Sequence, residues 1–433
     1  MHRLLAGRTA VVVLAVVALF GAGAVVAPPA PVGHLRTFDG EPADRLAASI
    51  TRTQEHLRRV PGDWMAWAGL GLAYVERARV SADPTYYPKA DGAVARSLAL
   101  RPHGNAEALV ARAALANARH DFGAARRDAQ AAVAVNAFDA DAFAVLADAE
   151  TQLGHVAAAT TAVQRLLDLR PGLSAYARAS YDLEQRGQLA AADELMRQAL
   201  ANALDPADVA FCRTQLGDLA FNAGDLAGAE REYRAGLTAD PSSVPLRRGR
   251  ARVAAALGNL PGALAGYAEL TRQAPTPAYL LEYAELLRLA GRDRAAATEV
   301  QLARTAYELL TANGGVDGLA GAALGEATNR PAEALRAAQA EWARRQHADV
   351  ADALGWALHL AGRDAEALGY ARRAVGSGTR SAGYAYHLGL IELTLGDRAA
   401  ARAHLSQALA LNPYFSPLGA PLARRALAGL ASS

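Results

Sequence analysis

One spacing constrains this chain more than any other feature. In "LGDLAFNAGDLAGAEREYRAGLTADP", residues 216–241, two short helical stretches flank a tight turn at Asn222–Asp225, and Ala229 follows Gly224 by five residues. An equivalent small residue recurs at Ala90, Ala125, Ala159, Ala192, Ala263, Ala296, Ala334, Ala367 and Ala401, with 33–38 residues between neighbours. A turn residue stands five positions earlier in nine of the ten cases: His120, Gly154, Gly187, Gly224, Gly258, Gly291, Asn329, Gly362 and Gly396. Self-similarity at this period means stacked supersecondary units, because one helix pair cannot bury its apolar face alone.

Each position in the pattern has a physical reason. A turn glycine reaches φ > 0 and ends the first helix. The alanine lets two backbones approach closely. One turn later an apolar residue fills the groove between helices, as at Val94, Val163, Met196, Tyr233, Tyr267, Val300 and Leu405. Pro102, Pro171, Pro241, Pro275 and Pro413 then stop the second helix. The composition agrees: 52% of residues are hydrophobic but only 6% aromatic, which favours helices over strands.

The pattern resembles the tetratricopeptide repeat. The resemblance is carried by Leu216, Gly217, Gly224, Ala229, Tyr233, Gly236 and Pro241, by Leu388, Gly389, Gly396, Ala401, Leu405, Ala408 and Pro413, and by Trp67, Leu70, Gly71, Tyr74, Ala90 and Pro102. It implies an all-α solenoid of about ten helix-turn-helix units over residues 61–415, wound as a right-handed superhelix. Residues 44–60 are expected to form an N-terminal capping helix, and residues 416–433 a C-terminal capping helix and tail. The units near 103–136 and 316–346 are the least regular, and the Gly-rich stretch after Asn313 is a candidate break in the stack.

The resemblance also implies a binding scaffold rather than an enzyme, with a protein or peptide partner in a concave groove lined by the first helix of each pair. On this register the groove candidates are Tyr181, Phe211, Asp218, Asn222, Arg248, Arg252, Arg288, Trp356, His359 and Tyr386. Glu107, Asn117, Asp141, Asp148, Thr151, Gln152, Glu184, Gln185, Thr214, Glu285, Asp349, Asp352, Leu390 and Leu393 also turn inward. The Lys/Asn set with which some members clamp a C-terminal carboxylate is absent, since Ala68 and Leu72 occupy its first positions. The arginines of "PLRRGRARV" suit an acidic ligand. Their alternative is a solvated face offset by Glu230 and Glu232. The first unit carries an insertion, "RVSADPTYYPKAD", whose Tyr86 and Tyr87 are either exposed contact residues or fold back as an N-terminal cap over Trp64 and Trp67.

The N-terminus opens with Arg3 and Arg8 before an apolar run from Ala10 to Ala27. Residues 1–27 read as a signal peptide cleaved after Ala22-Gly23-Ala24, or as a transmembrane anchor, for which about 17–25 residues suffice. Pro28 makes Val25-Val26-Ala27 a poor cleavage site. Both readings place the remainder outside the cytoplasmic membrane, with residues 28–43 as a Pro-rich linker. The basic residues are arginines apart from Lys89, which fits GC-rich bacterial codon usage.

Little points to other chemistry. Net charge is +2, which gives no footprint for nucleic acid. The single cysteine, Cys212, can form no intrachain disulfide and reads as a small buried hydrophobe. No cofactor motif and no zinc signature is present. Ser377 in "VGSGTR" has no preceding strand to make it a nucleophile. The alternative to a protein scaffold is a secreted or anchored accessory protein that handles a solute or metal, supported by the Arg cluster and by His387 and His404.

Overall fold

In a computed structural model, residues 42–431 are described, and among them are 22 α-helices and no strand. The leader and the linker up to residue 41 lie outside the described residues. Helix α1 (Pro42–Arg59) begins two residues before the expected cap, inside the expected linker, because proline is preorganised for a first helical turn. Ten helix pairs follow. Units 1 to 3 are α2–α3 (Trp64–Ser81, Tyr86–Leu100), α4–α5 (Ala106–Ala118, Phe122–Val135) and α6–α7 (Ala140–Leu153, Val156–Leu169). Units 4 to 6 are α8–α9 (Leu173–Gln185, Leu189–Ala201), α10–α11 (Pro206–Asn222, Leu226–Ala239) and α12–α13 (Val244–Ala256, Leu260–Gln273). Units 7 and 8 are α14–α15 (Pro277–Leu289, Asp293–Ala312) and α16–α17 (Gly318–Ala327, Pro331–Arg344). Units 9 and 10 are α18–α19 (Ala348–Leu360, Asp364–Val375) and α20–α21 (Ala382–Thr394, Arg398–Leu411). Helix α22 (Gly419–Ala431) closes the stack against α21.

The repeat register holds in detail. All nine turn residues have left-handed backbone, with φ between 55° and 85°, including His120 and Asn329. The residue after the turn often caps the second helix: Asp121, Asp225, Asn259 and Asp397 each accept the N–H three residues on. The ten small residues are all at most 2% exposed. In the groove, Tyr233 of α11 lies between two glycines. A Cβ on Gly217 of α10 or Gly249 of α12 would come within 2.4 Å of its ring. Val94 over Gly71 and Leu405 over Gly389 repeat the arrangement with smaller side chains. Cys212 is buried in the layer between α9 and α10, and burial pushes its thiol up to about 12.

The stack does not break after Asn313. Helix α15 has 20 residues where the second helices of the neighbouring units have 14, which accounts for the 38-residue spacing between Ala296 and Ala334. The contact from α15 to α16 is thin, but α14 still touches α16. The loop after α15 has another attachment, because the superhelix has come full circle.

Four successive helix turns dock on four successive loops between units. Val316 N–H donates to Arg119 O at 2.8 Å, and Arg344 to His120 O at 3.2 Å. Arg345 donates to Gln152 O and Oε1 at 3.3 and 3.0 Å. Thr379 Oγ1 donates to Gln185 O at 2.9 Å, and Asn412 Nδ2 to Phe221 O at 2.9 Å. The turns of units 2 to 5 thereby meet the loops that follow units 7 to 10, in order. The donors satisfy carbonyls that every helix end leaves without an intrahelical partner.

This seam gives the turn glycine a second role. A Cβ on Gly154 would sit 2.8 Å from Gln346 O, and one on Gly187 2.5 Å from Gly378 O. A Cβ on Gly258, Gly291, Gly362 or Gly396, beyond the seam, would meet nothing within 4 Å. Three outcomes are expected in denaturant titrations. Tyr233→Ala should cost about 3–5 kcal/mol, since the ring is fully buried. Gly291→Ala should cost only the left-handed strain of about 1–2 kcal/mol. Gly187→Ala should cost about 1–3 kcal/mol more than that, through the clash with Gly378, and should enlarge the radius of gyration in solution scattering.

Candidate functional site

The seam turns the concave side of the superhelix into a chamber of about 730 Å³. Its wall is drawn from the ends of first helices: Glu184 and Gln185 of α8, Asn222 of α10, Arg252 of α12, Glu282 and Glu285 of α14, and Glu326 of α16. Asp349 and Asp352 of α18 and Tyr384 and His387 of α20 face them from the next superhelical turn. The apolar part of the wall comes from an unexpected source. The long second helix α15 contributes Leu302, Thr305 and Leu309, joined by Leu281, Leu319 and Phe415. Leu302 and Leu309 are nearly half exposed, which is unusual for leucines on the inner side of a stack.

The arginine cluster holds the chain's own carboxylates. Arg248 grips Glu282 with two bonds of 2.9 and 2.5 Å, and Tyr267 OH donates to the same carboxylate at 2.8 Å. Burial raises Glu282, but the Arg248 guanidinium outweighs it and holds the carboxyl below its usual range. Arg252 donates to Asp218 at 3.0 Å, and Tyr233 OH donates to the same oxygen at 2.7 Å. Arg250 pairs with Glu230 at 3.1 Å, and Arg247 bonds Pro241 O and Gln273. The acidic-ligand reading of this cluster is therefore corrected: burial of a guanidinium requires a carboxylate, and the fold supplies it.

Of the ten groove candidates, only Asn222 and Arg252 are on the chamber wall. Tyr181, Trp356 and Tyr386 are buried and cannot act as open groove contacts in this state. Tyr386 packs on Trp356 and Phe415, with ring centroids 6.4 and 5.2 Å away. Phe211 packs in the layer with Met196 and Tyr176. Asp218 and Arg248 are taken by the pairs above. Arg288 donates to Ala327 O at 2.7 Å, and His359 is bonded to Asp364. Of the other inward positions, Gln152, Glu184, Gln185, Glu285, Asp349 and Asp352 line the chamber, whereas Glu107, Asn117, Asp141, Asp148, Thr151, Thr214, Leu390 and Leu393 do not.

Tyr86 and Tyr87 do not sit on a loop. The insertion lengthens α2, and both tyrosines start α3. Tyr86 packs on Tyr74 with centroids 6.1 Å apart. Tyr87 OH donates to Ala118 O at 3.1 Å, and the ring lines the chamber's upper end.

One layer of the wall is unusually ordered. His387 Nδ1 lies 2.9 Å from both oxygens of Asp352 and donates its proton to that carboxylate. The imidazole stacks on Trp356 at 4.2 Å, and Trp356 Nε1 donates to Glu326 at 3.0 Å. His404 bonds Glu392 instead of meeting His387. Among the described residues no group of three or more His, Cys, Asp or Glu side chains is placed to hold a metal ion, and no helix is long and apolar enough to cross a membrane.

Glu184 and Asp349 come from different superhelical turns yet feel each other's charge. Burial pushes Glu184 up to about 7, with Asp218 and Asp349 adding to it and Asn222 opposing. Burial also raises Asp349, but His347 and the Tyr384 hydroxyl outweigh it and hold that carboxyl low. A carboxyl raised on folding binds a proton that the unfolded chain has lost, so stability falls as pH rises from the ordinary Glu range to about 7. Glu184→Gln is expected to flatten that fall and to raise stability at pH 8 by about 1–3 kcal/mol, read from urea melts at pH 5 and 8.

Residues 382–415, which form unit 10 and the loop after it, match the family model of the tetratricopeptide repeat. No curated protein matches the chain. Among solved structures, the chain is similar to a tetratricopeptide repeat protein from Parabacteroides merdae, with 18% identity over 60% of this chain and 99% of that one, at a TM-score of 0.36. It is also similar to the APC/C hetero-tetramer Cut9-Hcn1, with 15% identity over 89% and 93% of the two chains, at a TM-score of 0.40. A thermophilic repeat protein from Thermus thermophilus is 22% identical over 40% of this chain and 91% of its own, at a TM-score of 0.36.

Proposed function

We propose that the chain is a non-catalytic scaffold of the tetratricopeptide type that captures a segment of a protein partner in its concave chamber. It acts outside the cytoplasmic membrane of a bacterium, tethered or exported by its N-terminal apolar stretch. The supporting observation is the chamber itself: polar residues of successive first helices converge with an exposed leucine stripe on one concave space. A volume of about 730 Å³ lies within the 300–1,000 Å³ range usual for small-molecule sites. That observation favours a second reading, an accessory protein that binds a small solute in the same chamber.

Crosslinking from membranes of the native host separates these. With p-benzoylphenylalanine in place of Leu302, irradiation should give a discrete partner adduct, and the same residue in place of Phe138, which is 78% exposed outside the chamber, should not. Adducts from position 138 alone overturn the chamber reading. Adducts from neither, together with a ligand-dependent rise in melting temperature, select the solute reading. Mass spectrometry of the same sample reads the N-terminal peptide, and a mature chain beginning near Val25 would show export with cleavage.

A further inference from the structure

The seam has a fixed period. The α4–α5 turn meets the α15–α16 loop, α6–α7 meets α17–α18, α8–α9 meets α19–α20, and α10–α11 meets α21–α22. Each turn finds its loop 11 helices further on, so 11 helices make one superhelical turn and the 22 described helices make two. Two rims are then left uncovered among the described residues. The five turns from α12–α13 to α20–α21 form one of them. The five loops from α1–α2 to α9–α10 form the other, at the opposite end of the stack.

The rims repeat the parts of the seam. A leucine precedes the turn glycine at Leu153, Leu257 and Leu395. Leu153, at a turn the seam covers, is 8% exposed, whereas Leu257 and Leu395 on the free rim are 67% and 42% exposed. Gly258 and Gly396 keep the left-handed backbone of the covered turns, yet a Cβ there meets nothing within 4 Å. On the loop rim, Asn136 repeats Asn412. Each follows a second helix in extended backbone, and its side-chain oxygen accepts the N–H two residues on, at 3.0 and 2.8 Å. Asn412 Nδ2 donates across the seam to Phe221 O, while Asn136 is exposed on the free rim. Leu204, in the α9–α10 loop, is 94% exposed, and the exposed Val60 and Met65 flank the α1–α2 loop. Large apolar side chains left in water on both rims mark contact surfaces.

We propose that copies of this chain stack coaxially, head to tail, with the free turns of one docked on the free loops of the next. The register follows from the seam: 11 helices on from a free turn lies a loop of the following copy. The α20–α21 turn then meets the α9–α10 loop, which sets Leu395 on Leu204. The α12–α13 turn meets the α1–α2 loop, which sets Leu257 on Val60 and Met65. The α16–α17 turn meets the α5–α6 loop, which brings Asn136 to Glu326 O. That carbonyl accepts the turn residue's N–H at 2.8 Å, as Phe221 O does at 2.9 Å. The contact is heterologous and does not close, so it builds an open fibre rather than a dimer. Helix α22 and the next copy's α1 come side by side, and both expose arginines there, Arg424 and Arg425 against Arg52 and Arg58. Their like charge is screened by salt, so association should strengthen as ionic strength rises. The stack does not depend on whether the chamber takes a partner.

The test is disulfide trapping of the full chain in its native host, read on non-reducing gels. Leu204→Cys combined with Leu395→Cys should give a ladder of linked multiples on mild oxidation. The two positions lie at opposite ends of one copy, so their disulfide joins different copies. Val60→Cys combined with Leu257→Cys should give the same ladder, and the off-register pair Leu204→Cys with Leu257→Cys should not. In sedimentation of the full chain in mild detergent, Leu204→Asp and Leu395→Asp should each weaken self-association at least tenfold. Both side chains are exposed, so the melting temperature should not move. A ladder from the off-register pair equal to those in register overturns the proposal. So does a dimer from either single cysteine as strong as that from the pair, which marks a two-fold contact. A single species at all concentrations, or association unchanged in both aspartate variants, overturns it too. Linkage to a chain of any other mass marks a different occupant and also overturns it. With p-benzoylphenylalanine in place of Phe138, stacking gives a self-adduct of twice the chain mass, which is distinct from a partner adduct, so the stack and the chamber reading fail separately.

Discussion

Helix-end carbonyls must find a donor, and among the described residues five carbonyls at the turns of units 2 to 5 find it in the next turn of the superhelix. The bonds to Gln152, Gln185 and Phe221 join residues 191–194 positions apart. Their near-constant offset shows that one superhelical turn takes a fixed number of units, so each contact places the next. Without the seam, the concave face is an open groove. With it, that face is a chamber whose opposite walls come from units about five apart. The charge interaction between Glu184 and Asp349 exists only because of this closure.

The seam also explains the chemistry of its loops. Arg344, Arg345, Thr379 and Asn412 are donors placed just where a unit ends. Arg345 is almost fully buried, and its guanidinium is neutralised by Glu341 within α17 while it reaches Gln152 across the seam. A buried cation without that carboxylate would be strongly destabilising. The same logic governs the arginines of α12. They are internal struts: Arg248 and Arg252 each share a carboxylate with a buried tyrosine, and the pairs knit units 5 to 7 together.

Much of the stack was legible because helix packing is local. The turn residues, the small residues five positions later and the groove-filling side chains after them all stand where the period put them, even at His120 and Asn329, where glycine is missing. The candidate site was read less well. First-helix residues of one register divide between the chamber and the layer behind it according to how far each helix rotates, and apolar residues take the inner layer. Trp356 and Tyr386 therefore went to the core while Asp349 and Asp352 stayed on the wall. The leucines of α15 were missed because second helices face outward in a regular unit. The one signal was the long spacing between Ala296 and Ala334, which marks an overlong helix reaching past its neighbours.

The sequence by itself determined the unit: a helix pair of about 34 residues, repeated ten times, with a left-handed turn and a small residue at each close approach. Those features depend on contacts within a pair or between adjacent pairs, and a repeating pattern records them. Only the tertiary structure decided the pitch. Pitch is the sum of small rotations between units, each the outcome of side-chain packing with no signature of its own. That sum set Gly187 against Gly378, Glu184 near Asp349, and the leucines of α15 inside the chamber they help to line.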